Sequence, residues 1–428
     1  MPAPPDPASP ESAVPDPSVP ESAGPESVSN PDSDGNGATC EETARLEQLA
    51  AATDLLRAVT DGIQQGTGEL ALQTQLRKDW PAPLVSAALA LVEQRQRARR
   101  RFSRGDQMWF DRDLLEQATH EEVARYKAAR FAGQEGPVWD LCCGAGSDAI
   151  ALAEHHEVTA VDRSSAACFR TRANAAVYGV AGRITTRCAD VTMLPEARGL
   201  VHIDPDRRPD GRRTLRIEQF QPGLDFLERL PDQFRGGAIK LSPACNFTGK
   251  FPEAEIELIS YEGECREATV WFGDLGEPGL WRATALPSGE TLFGNPLEVQ
   301  APMAEPGRWL CDPDPAIVRA GLVDLLADRT GLSRLDDAEE YLTGEEPVDS
   351  PFLTCLEIIA ELPGSDKAIR RWFRDHPARD VEIRCRHLPV DAERVRRKLP
   401  KTGEEPQVLV FARVAGTARA LVCRRPEA

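Results

Sequence analysis

Acidic residues and glycines recur at the ends of three predicted strands in the middle of the chain. The first strand runs into Asp140-Leu-Cys-Cys-Gly144-Ala-Gly146, and a predicted helix follows directly. Two glycines at this point permit a tight turn and let the backbone approach a ligand at the helix N-terminus. Asp162 ends the second strand, where a carboxylate can accept hydrogen bonds from two ribose hydroxyls. The third strand ends at Asp190, whose side chain could receive an adenine amino group.

The same pattern excludes one common class of cofactor. A nicotinamide dinucleotide site has a third glycine in the order G-x-G-x-x-G, and that position is Ala149 in this chain. The loop therefore does not predict a diphosphate-binding cradle. Since the ends of neighbouring parallel strands meet at one edge of an open sheet, we expect the three strand ends to line one ligand site.

A fourth strand ends in Asp204-Pro205-Asp-Arg207-Arg208. A carboxylate held by the following proline at the sheet edge can accept a hydrogen bond from a substrate amino group. The adjacent arginines could bind a phosphate through paired hydrogen bonds. The alternative is an ordinary strand-to-loop turn, because Asp-Pro is common in turns. The glycine loop and Asp162 upstream favour the functional interpretation.

Short apolar segments that alternate with helical ones must position these residues. The segments VWDLCC, VTAVD, ITTRCAD, LVHID and GAIKLS are typical of strands, and residues 147–155 and 164–178 of helices. This β-α-β alternation predicts a parallel sheet covered on both faces. Two further segments, EIELISY and EATVWFG, would close the sheet as a hairpin. Lys240 on the fifth strand either points into the site or caps the sheet.

The flanking regions differ from this middle part. Residues 41–104 show helical periodicity. From 355 to 428 the pattern is β-α-β-α-β-β, with 16 Lys and Arg against 11 Asp and Glu, so this region is net basic. Residues 276–354 contain no catalytic signature. The last helix of the first region ends in an arginine run that forms either a solvated face or a phosphate-binding patch: Arg95, Arg97, Arg99, Arg100 and Arg101.

The net charge of -18 would argue against a nucleic-acid partner if it were evenly spread. However, residues 1–42 hold nine acids and no Lys or Arg, so half of the net charge belongs to one end. Residues 1–40 are also rich in Pro and Ser, and we expect them to be disordered because they have little to bury. Neither a signal peptide nor a membrane span of ~20 apolar residues is present, which predicts a cytoplasmic protein without a membrane partner.

Cysteines and histidines give no indication of a metal site. The eleven cysteines show neither paired C-x-x-C spacing nor a compact disulfide framework, and we interpret them mostly as reduced core residues. Cys142 and Cys143 are interpreted as structural parts of the glycine loop. His155, His156 and His202 lack the spacing of a zinc motif.

Over residues 104–275, the order DLCCGAGSDAIALA, VTAVDRSSAACFRTRANAAVYGV, CADV and DPDRR resembles class I S-adenosylmethionine-dependent methyltransferases. Trp109-Phe110 followed by ANAAVYGV is similar to the RNA cap guanine-N2 methyltransferases typified by trimethylguanosine synthase. The helical region and the basic C-terminal region together resemble bacterial methyltransferases that end in a THUMP-like domain. The resemblance implies S-adenosyl-L-methionine as cofactor, RNA as partner, and these cofactor-binding residues: Asp140, Cys142, Gly144, Gly146, Asp162 and Asp190.

The resemblance also implies roles around the fourth strand end: Asp204 and Pro205 for catalysis, Arg207 and Arg208 for the substrate. Guanine-N2 enzymes usually continue Asp-Pro with a second proline and an aromatic residue, and this chain has an acid and an arginine there instead. Trp109 or Phe110 could supply the missing aromatic contact. The alternative is that these two side chains form a hydrophobic plug between the helical region and the sheet.

We therefore predict an α/β protein with a Rossmann-like class I methyltransferase sheet, parallel with a closing antiparallel hairpin. The predicted parts are an acidic tail (1–40), a helical module (41–104), a methyltransferase domain (105–275), a linking or accessory domain (276–354) and a THUMP-like α+β domain (355–428). The predicted reaction is methyl transfer to a nitrogen of an RNA base. Two alternatives remain: a methyltransferase for a small amine or a protein, and an RNA-binding protein that has lost catalysis. The base, the RNA species and the oligomeric state stay open.

Overall fold

The computed structural model describes residues 33–426 except 195, 209, 210 and 401. Four helices form the first module: α1 (Ser33–Ala51), α2 (Thr53–Gln64), α3 (Glu69–Leu76) and α4 (Ala82–Ala98). Their apolar faces share one core that includes Leu55, Val59 and Val85. The predicted tail boundary at residue 40 falls inside α1, which begins at Ser33. The first turns of α1 carry no large apolar residue, so periodicity could not reveal them. The remainder of the predicted tail lies outside the described residues.

Two helices, α5 (Arg112–Gln117) and α6 (Glu121–Phe131), connect this module to a nine-stranded sheet. The spatial order of its strands is β3-β2-β1-β4-β5-β7-β6-β8-β9. In chain order the strands are β1 (Val138–Leu141), β2 (Val158–Asp162), β3 (Ile184–Cys188), β4 (Leu200–Ile203), β5 (Gly236–Leu241), β6 (Glu255–Tyr261), β7 (Glu264–Gly273), β8 (Trp281–Leu286) and β9 (Glu290–Gly294).

The first five strands are parallel and pair as the β-α-β alternation predicts. The chain crosses over between them through α7 (Ser147–Leu152), α8 (Ser165–Tyr178), α9 (Leu224–Leu227) and α10 (Leu230–Gln233). The predicted hairpin is also present, since β7 pairs antiparallel with both β5 and β6. The predicted α/β class and the sheet topology are therefore confirmed.

The sheet continues beyond the predicted domain end at residue 275. β8 pairs parallel with β6, and β9 extends the sheet by one more antiparallel strand. Two helices, α11 (Pro315–Ala320) and α12 (Val323–Thr330), contribute buried apolar residues to the same core. Residues 276–354 thus share their sheets and their core with the segments on either side. Strand pairing between distant segments decides this division, and local composition does not record it.

A second sheet of seven strands has the order β11-β12-β10-β13-β16-β15-β14. Its elements are β10 (Trp309–Pro313), β11 (Ser333–Arg334), β12 (Leu342–Gly344), β13 (Leu353–Pro363), α13 (Asp366–Asp375), β14 (Asp380–Cys385), α14 (Ala392–Arg396), β15 (Pro406–Val414) and β16 (Thr417–Arg424). From β13 onward the order is the predicted β-α-β-α-β-β. Since β13 pairs with β10, the sheet itself begins well before residue 355.

One pair of cysteines departs from the interpretation as reduced core residues. Cys311 on β10 lies opposite Cys355 on β13, with 4.1 Å between their Cα atoms, and the two form a disulfide. They are 44 positions apart in the chain, so only the antiparallel register brings them together. Nine other cysteines in the described part of the chain carry free thiols. Among the described residues, no helix is both long and apolar enough to cross a bilayer.

Candidate active site

A cleft of about 710 Å³ opens at the carboxyl ends of the parallel strands. Of the residues predicted to bind a cofactor or substrate, the structure brings the following to its wall: Cys142, Gly144, Asp162, Asp190, Asp204, Pro205, Arg207 and Arg208. The strand ends thus meet at one place, as expected for ligand sites of open α/β sheets. Helix α1 contributes Glu42 to the same wall, where it pairs with the buried Arg170.

The loop after β1 has three residues in the left-handed backbone region. Gly144 has φ +56° and Gly146 has φ +83°, and Cys142 adopts φ +58° despite its side chain. A Cβ added to Gly146 would come within 2.9 Å of the Thr171 side chain, so glycine here lets α8 pack close to the loop. Gly144 lies on the cleft wall, whereas Gly146 supports the loop from behind.

Asp162 connects this loop to the end of β2. Its Oδ2 accepts a hydrogen bond from the Gly144 N–H at 3.0 Å, and its Oδ1 accepts one from the Ser164 N–H at 2.9 Å. Burial raises the pKa of the carboxyl, and these two hydrogen bonds oppose that rise. Each ionised oxygen can accept more than one hydrogen bond, so the carboxylate can also bind hydroxyls of a ligand in the cleft.

Replacing Asp162 by alanine should weaken cofactor binding. The variant loses charge-assisted hydrogen bonds worth ~1.5 to 3 kcal/mol each, and the loop loses its contact at Gly144. We expect the dissociation constant for S-adenosyl-L-methionine to rise roughly 10- to 150-fold in calorimetry. Asp225→Ala, on the exposed surface of α9, serves as control. Undiminished affinity in Asp162→Ala would contradict this role.

Asp190 lies at the end of β3 on the cleft wall. Its Oδ1 accepts hydrogen bonds from the backbone N–H of Thr192 at 2.8 Å and from the Thr192 hydroxyl at 2.7 Å. The side chain is therefore fixed as the cap of a short 3-10 helix. No protein donor within the described residues contacts its other oxygen, which leaves that atom for a ligand amino group.

Asp140 lies beneath the cleft rather than on its wall, with 1% of its surface exposed. Its Oδ1 accepts a hydrogen bond from Nδ1 of His202 at 2.7 Å, while Oδ2 has no partner among the described residues. Burial raises the pKa of this carboxyl, although the His202 hydrogen bond opposes the rise. A buried acceptor without a partner is costly, and a ligand ammonium group would satisfy it. This atom and the acids on the wall fit a ligand with an amino-acid end and a nucleoside end.

Asp204 extends from the end of β4 into the cleft. Its Oδ2 lies 2.6 Å from Nζ of Lys240, and the same ammonium donates to the Gln117 carbonyl at 3.1 Å. Lys240 thus points into the site, which resolves the two possibilities that the sequence left open. Because Lys240 binds Oδ2, Asp204 is held in one orientation. Its Oδ1 accepts no hydrogen bond from the described part of the chain and remains free for a substrate.

The loop after Asp204 is more than a simple turn. Asp206 pairs with Gln221 through two backbone hydrogen bonds of 2.8 and 3.0 Å, which anchor the loop to the segment before α9. Arg208 contacts two acids of the α5 region, Asp113 at 3.5 Å and Glu116 at 3.6 Å. Arg207 has no carboxylate within ion-pair distance among the described residues. Of the two predicted substrate residues, Arg207 is therefore the one whose charge is available to a ligand.

Trp109 and Phe110 do not reach the cleft, which corrects the prediction that one of them stacks on a base. Trp109 is 8% exposed and packs in the helical module's core, edge-to-face with Phe169. Phe110 is 3% exposed and stacks on Phe102 in the core of the sheet. The buried Asn174 bonds both the N–H and the carbonyl of Trp109. These residues join two cores, as the plug interpretation describes.

A buried ionic network beneath the cleft escaped the sequence analysis. Lys127 of α6 lies 2.8 Å from Asp148 and 2.6 Å from Glu267, and its Nζ is 3.2 Å from Nε2 of His202. Burial lowers the pKa of Lys127, but Asp148 and Glu267 outweigh it and the pKa is raised. Through His202 the network reaches Asp140. Its members lie far apart in the chain, and a lone lysine in an amphipathic helix gives no signal of this role.

The chain is 35% identical over 333 residues to an uncharacterized S-adenosylmethionine-dependent methyltransferase of Mycobacterium tuberculosis strain CDC 1551 / Oshkosh. The alignment covers 75% of this chain and 90% of that protein. A counterpart in strain H37Rv matches to the same extent. The chain belongs to the S-adenosylmethionine-dependent methyltransferases.

Two parts of this methyltransferase match known protein families. Residues 136–216 match the RNA cap guanine-N2 methyltransferase family, from β1 through the Asp204 loop. Residues 353–425 match the THUMP domain-like family, which is the second sheet from β13 onward. The fold as a whole resembles the crystal structure of a Porphyromonas gingivalis W83 protein classed with the methyltransferases, with a TM-score of 0.70 at 18% identity. That similarity covers 88% of this chain and 99% of the other, so the two share one architecture.

S-adenosyl-L-methionine is thus the cofactor of this methyltransferase. The residues around the cleft fit it in kind: an unpaired buried carboxylate oxygen for an ammonium group, a carboxylate for ribose hydroxyls, and a further acid for an amino group of adenine.

Proposed function

We propose that this methyltransferase transfers a methyl group to a nitrogen of a base in RNA. The observation that carries the proposal is the position of Asp204, whose Oδ1 is free in the cleft while Lys240 holds Oδ2. An exocyclic amino group is the kind of acceptor that such a carboxylate recognises. The match of residues 136–216 to the guanine-N2 family and of 353–425 to the THUMP domain-like family supports RNA as the substrate class.

In the proposed reaction the protein mainly positions the two reactants and stabilises the charge that develops between them. Bound S-adenosyl-L-methionine supplies the methyl group on a sulfonium that is itself a good leaving group. Asp204 accepts a hydrogen bond from the N–H of the acceptor amino group, which aims the nitrogen lone pair, and its charge stabilises the positive charge that grows there. The proton that the nitrogen releases after transfer passes to this carboxylate or to water. Pro205 is buried and restricts the backbone beside it. Alignment of the two reactants is worth roughly 7 to 11 kcal/mol in favourable cases.

The direct test is turnover of methyl-labelled S-adenosyl-L-methionine on three acceptors: total bacterial RNA, small amines and total protein. We expect label in RNA and, after nucleoside digestion, in one N-methylated base identified by mass spectrometry. If label appears in the amines or in the protein but not in the RNA, the substrate class is not RNA. Cofactor binding without turnover on any acceptor would indicate a binding protein that has lost catalysis.

RNA affinity should fall steeply with salt, because phosphate contacts release counterions. Helix α13 in the THUMP-like region presents exposed basic side chains: Lys367, Arg370, Arg371 and Arg374. Changing all four to glutamine should lower the slope of log affinity against log salt by up to about 3. Deleting residues 355–428 would be a poorer test, since it removes most of β13, which pairs with β10. A slope that does not change would exclude α13 as a docking surface.

A further inference from the structure

A second cavity of about 620 Å³ adjoins the cofactor cleft. It contains none of the residues assigned to the cofactor. The two cavities share only the side chains between them: Gln117, Ala118, Thr119, Asp204, Arg207 and Arg208. Asp204 therefore belongs to both walls. A methyl donor in the first cavity and an acceptor in the second would meet at this carboxylate.

Two aromatic rings that pack against each other line the second cavity. The rings of His120 and Tyr261 lie face to face with a tilt, 4.1 Å apart between centroids at an interplanar angle of 30°, and both are partly exposed. His120 caps α6, with Nδ1 accepting from the Glu122 N–H at 3.3 Å. Burial lowers the pKa of His120, and the nearby Arg101 lowers it further. An uncharged ring beside a tyrosine is a stacking surface for a nucleic-acid base.

Arginines reach the same cavity from three separate elements. Arg100 follows α4, Arg213 lies in the loop after β4, and Arg266 lies on β7. Arg100 and Arg213 have no carboxylate within ion-pair distance among the described residues, while Arg266 pairs with Glu264 at 2.7 Å. Carboxylates also line the cavity, and two of them, Asp204 and Glu267, are already neutralised by lysines. The unpaired guanidinium groups are available for phosphate.

The arginine run at the end of α4 thus divides between two roles. Arg95 donates to the carbonyl groups of Gln107 and Met108 at 3.0 Å, and Arg101 donates to carbonyl groups around α5. These two fix the segment that carries the cavity wall. Arg100 is exposed and lines the cavity. Arg95 and Arg101 thus fit neither the solvated-face nor the phosphate-binding interpretation of the run, whereas Arg100 is available for phosphate.

We propose that the second cavity is the acceptor site and binds a nucleotide of single-stranded RNA. The His120–Tyr261 pair stacks on the base, the arginines bind adjacent phosphates, and the acceptor nitrogen reaches Asp204. Bases are accessible in this way in unpaired RNA, where proteins recognise them by stacking. The inference rests on the proposed function. It also supplies the aromatic contact that the Asp204 motif lacks, from residues that lie outside the motif.

The first test changes the stacking surface. Tyr261→Ala should raise KM for total bacterial RNA by about 5- to 150-fold, while the affinity for S-adenosyl-L-methionine in calorimetry stays unchanged. Tyr261→Phe keeps the ring and should recover most of the loss. Phe293→Ala is the matched control, because Phe293 is a partly exposed ring on β9 outside both cavities. A fold defect would lower cofactor affinity as well, and the two causes are thereby separated.

The second test changes the charges. In the triple variant Arg100→Gln, Arg213→Gln, Arg266→Gln, the salt slope for binding a labelled mixed-sequence oligoribonucleotide should fall by about 2. A triple variant with the exposed arginines Arg57, Arg77 and Arg229 changed to glutamine is the control. Active enzyme with unchanged KM and slope in both sets would overturn the acceptor site alone. Wild-type protein that methylates no RNA would overturn the proposed function itself.

Discussion

Replacing Asp204 by asparagine should reduce the rate of methyl transfer by about 10²- to 10³-fold, the loss typical of removing one preorganised charge-stabilising group. The amide keeps the size of the side chain but not its charge. It therefore cannot stabilise the positive charge that develops on the acceptor nitrogen. Single-turnover transfer to RNA measures this step directly. Asp204→Ala should lose at least as much, since it also removes the hydrogen bond that orients the acceptor.

The affinity for the cofactor distinguishes a role of Asp204 in methyl transfer from a purely structural role. Asp204 also neutralises Lys240, which is largely buried, so its removal leaves an ammonium without its carboxylate. The double variant Asp204→Asn, Lys240→Met removes both charges and should restore folding stability without restoring transfer. Calorimetry should show unchanged binding of S-adenosyl-L-methionine in Asp204→Asn. Turnover equal to that of the wild type would remove Asp204 from the mechanism.

Replacing Lys127 by methionine should cost about 3 to 5 kcal/mol of unfolding free energy at neutral pH. Lys127 is 2% exposed, and its removal leaves Asp148 and Glu267 buried without a cation. Such a loss is a large part of the ~5 to 15 kcal/mol that stabilises a typical domain. Urea unfolding followed by tryptophan fluorescence measures it. Lys78→Met, an exposed lysine after α3, is the control and should change stability little.

The pH dependence of this loss gives a second readout. In the wild type, burial raises the pKa of Asp148, but Lys127 outweighs burial and holds that pKa below its ordinary value. The Asp148 carboxylate stabilises the fold at pH values above its pKa in the unfolded chain, about 3.9. This contribution is lost as the pH falls through its pKa in the folded protein. In Lys127→Met, the carboxylates of Asp148 and Glu267 have no cation beside them and bind protons more readily in the folded protein than in the unfolded chain. The free energy of unfolding of this variant therefore rises as the pH falls. The two proteins should therefore differ most at neutral pH and least in acid.

Adding Glu267→Gln to Lys127→Met removes one of the two buried carboxylates that have lost their cation. The double variant should recover part of the lost free energy of unfolding. Recovery of this kind would not follow if Lys127 contributed only packing. Equal stability of Lys127→Met and the wild type at neutral pH would show that the network is already relaxed by proton uptake. Lys127→Arg retains the charge but needs more space, so we expect a smaller loss than in the methionine variant.

Local sequence patterns were sufficient for the elements of the first five strands and for the order of elements from β13 onward. Alternation of apolar segments with helical ones depends only on near neighbours, so it is visible without a structure. The same holds for the glycine loop and the acids at strand ends, because their positions follow from where each strand stops. Strands β8 and β9 were missed, since distant pairing partners stabilise them. The first turns of α1 were missed because they carry no large apolar residue.

The residues around the acceptor were the least predictable. Trp109 and Phe110 matched a family pattern and proved to be core residues, held in place by Asn174. His120 and Tyr261, which line the second cavity, are separated by more than a hundred positions and belong to no motif. Lys240 could point either way until its distance to Asp204 was known. No local rule can rank such residues, because their role depends on which distant segment faces them.

The sequence by itself determined that this chain holds a parallel sheet with acids and glycines at its strand ends, and hence the kind of ligand it takes. Those features are local, since strand ends of a parallel sheet always converge at one edge. Only the tertiary structure decided the partners of those acids: Lys240 beside Asp204, His202 beneath Asp140, and a ring pair at the mouth of a second cavity. Electrostatic and stacking contacts act over a few ångströms in space, and the chain order does not record such distances.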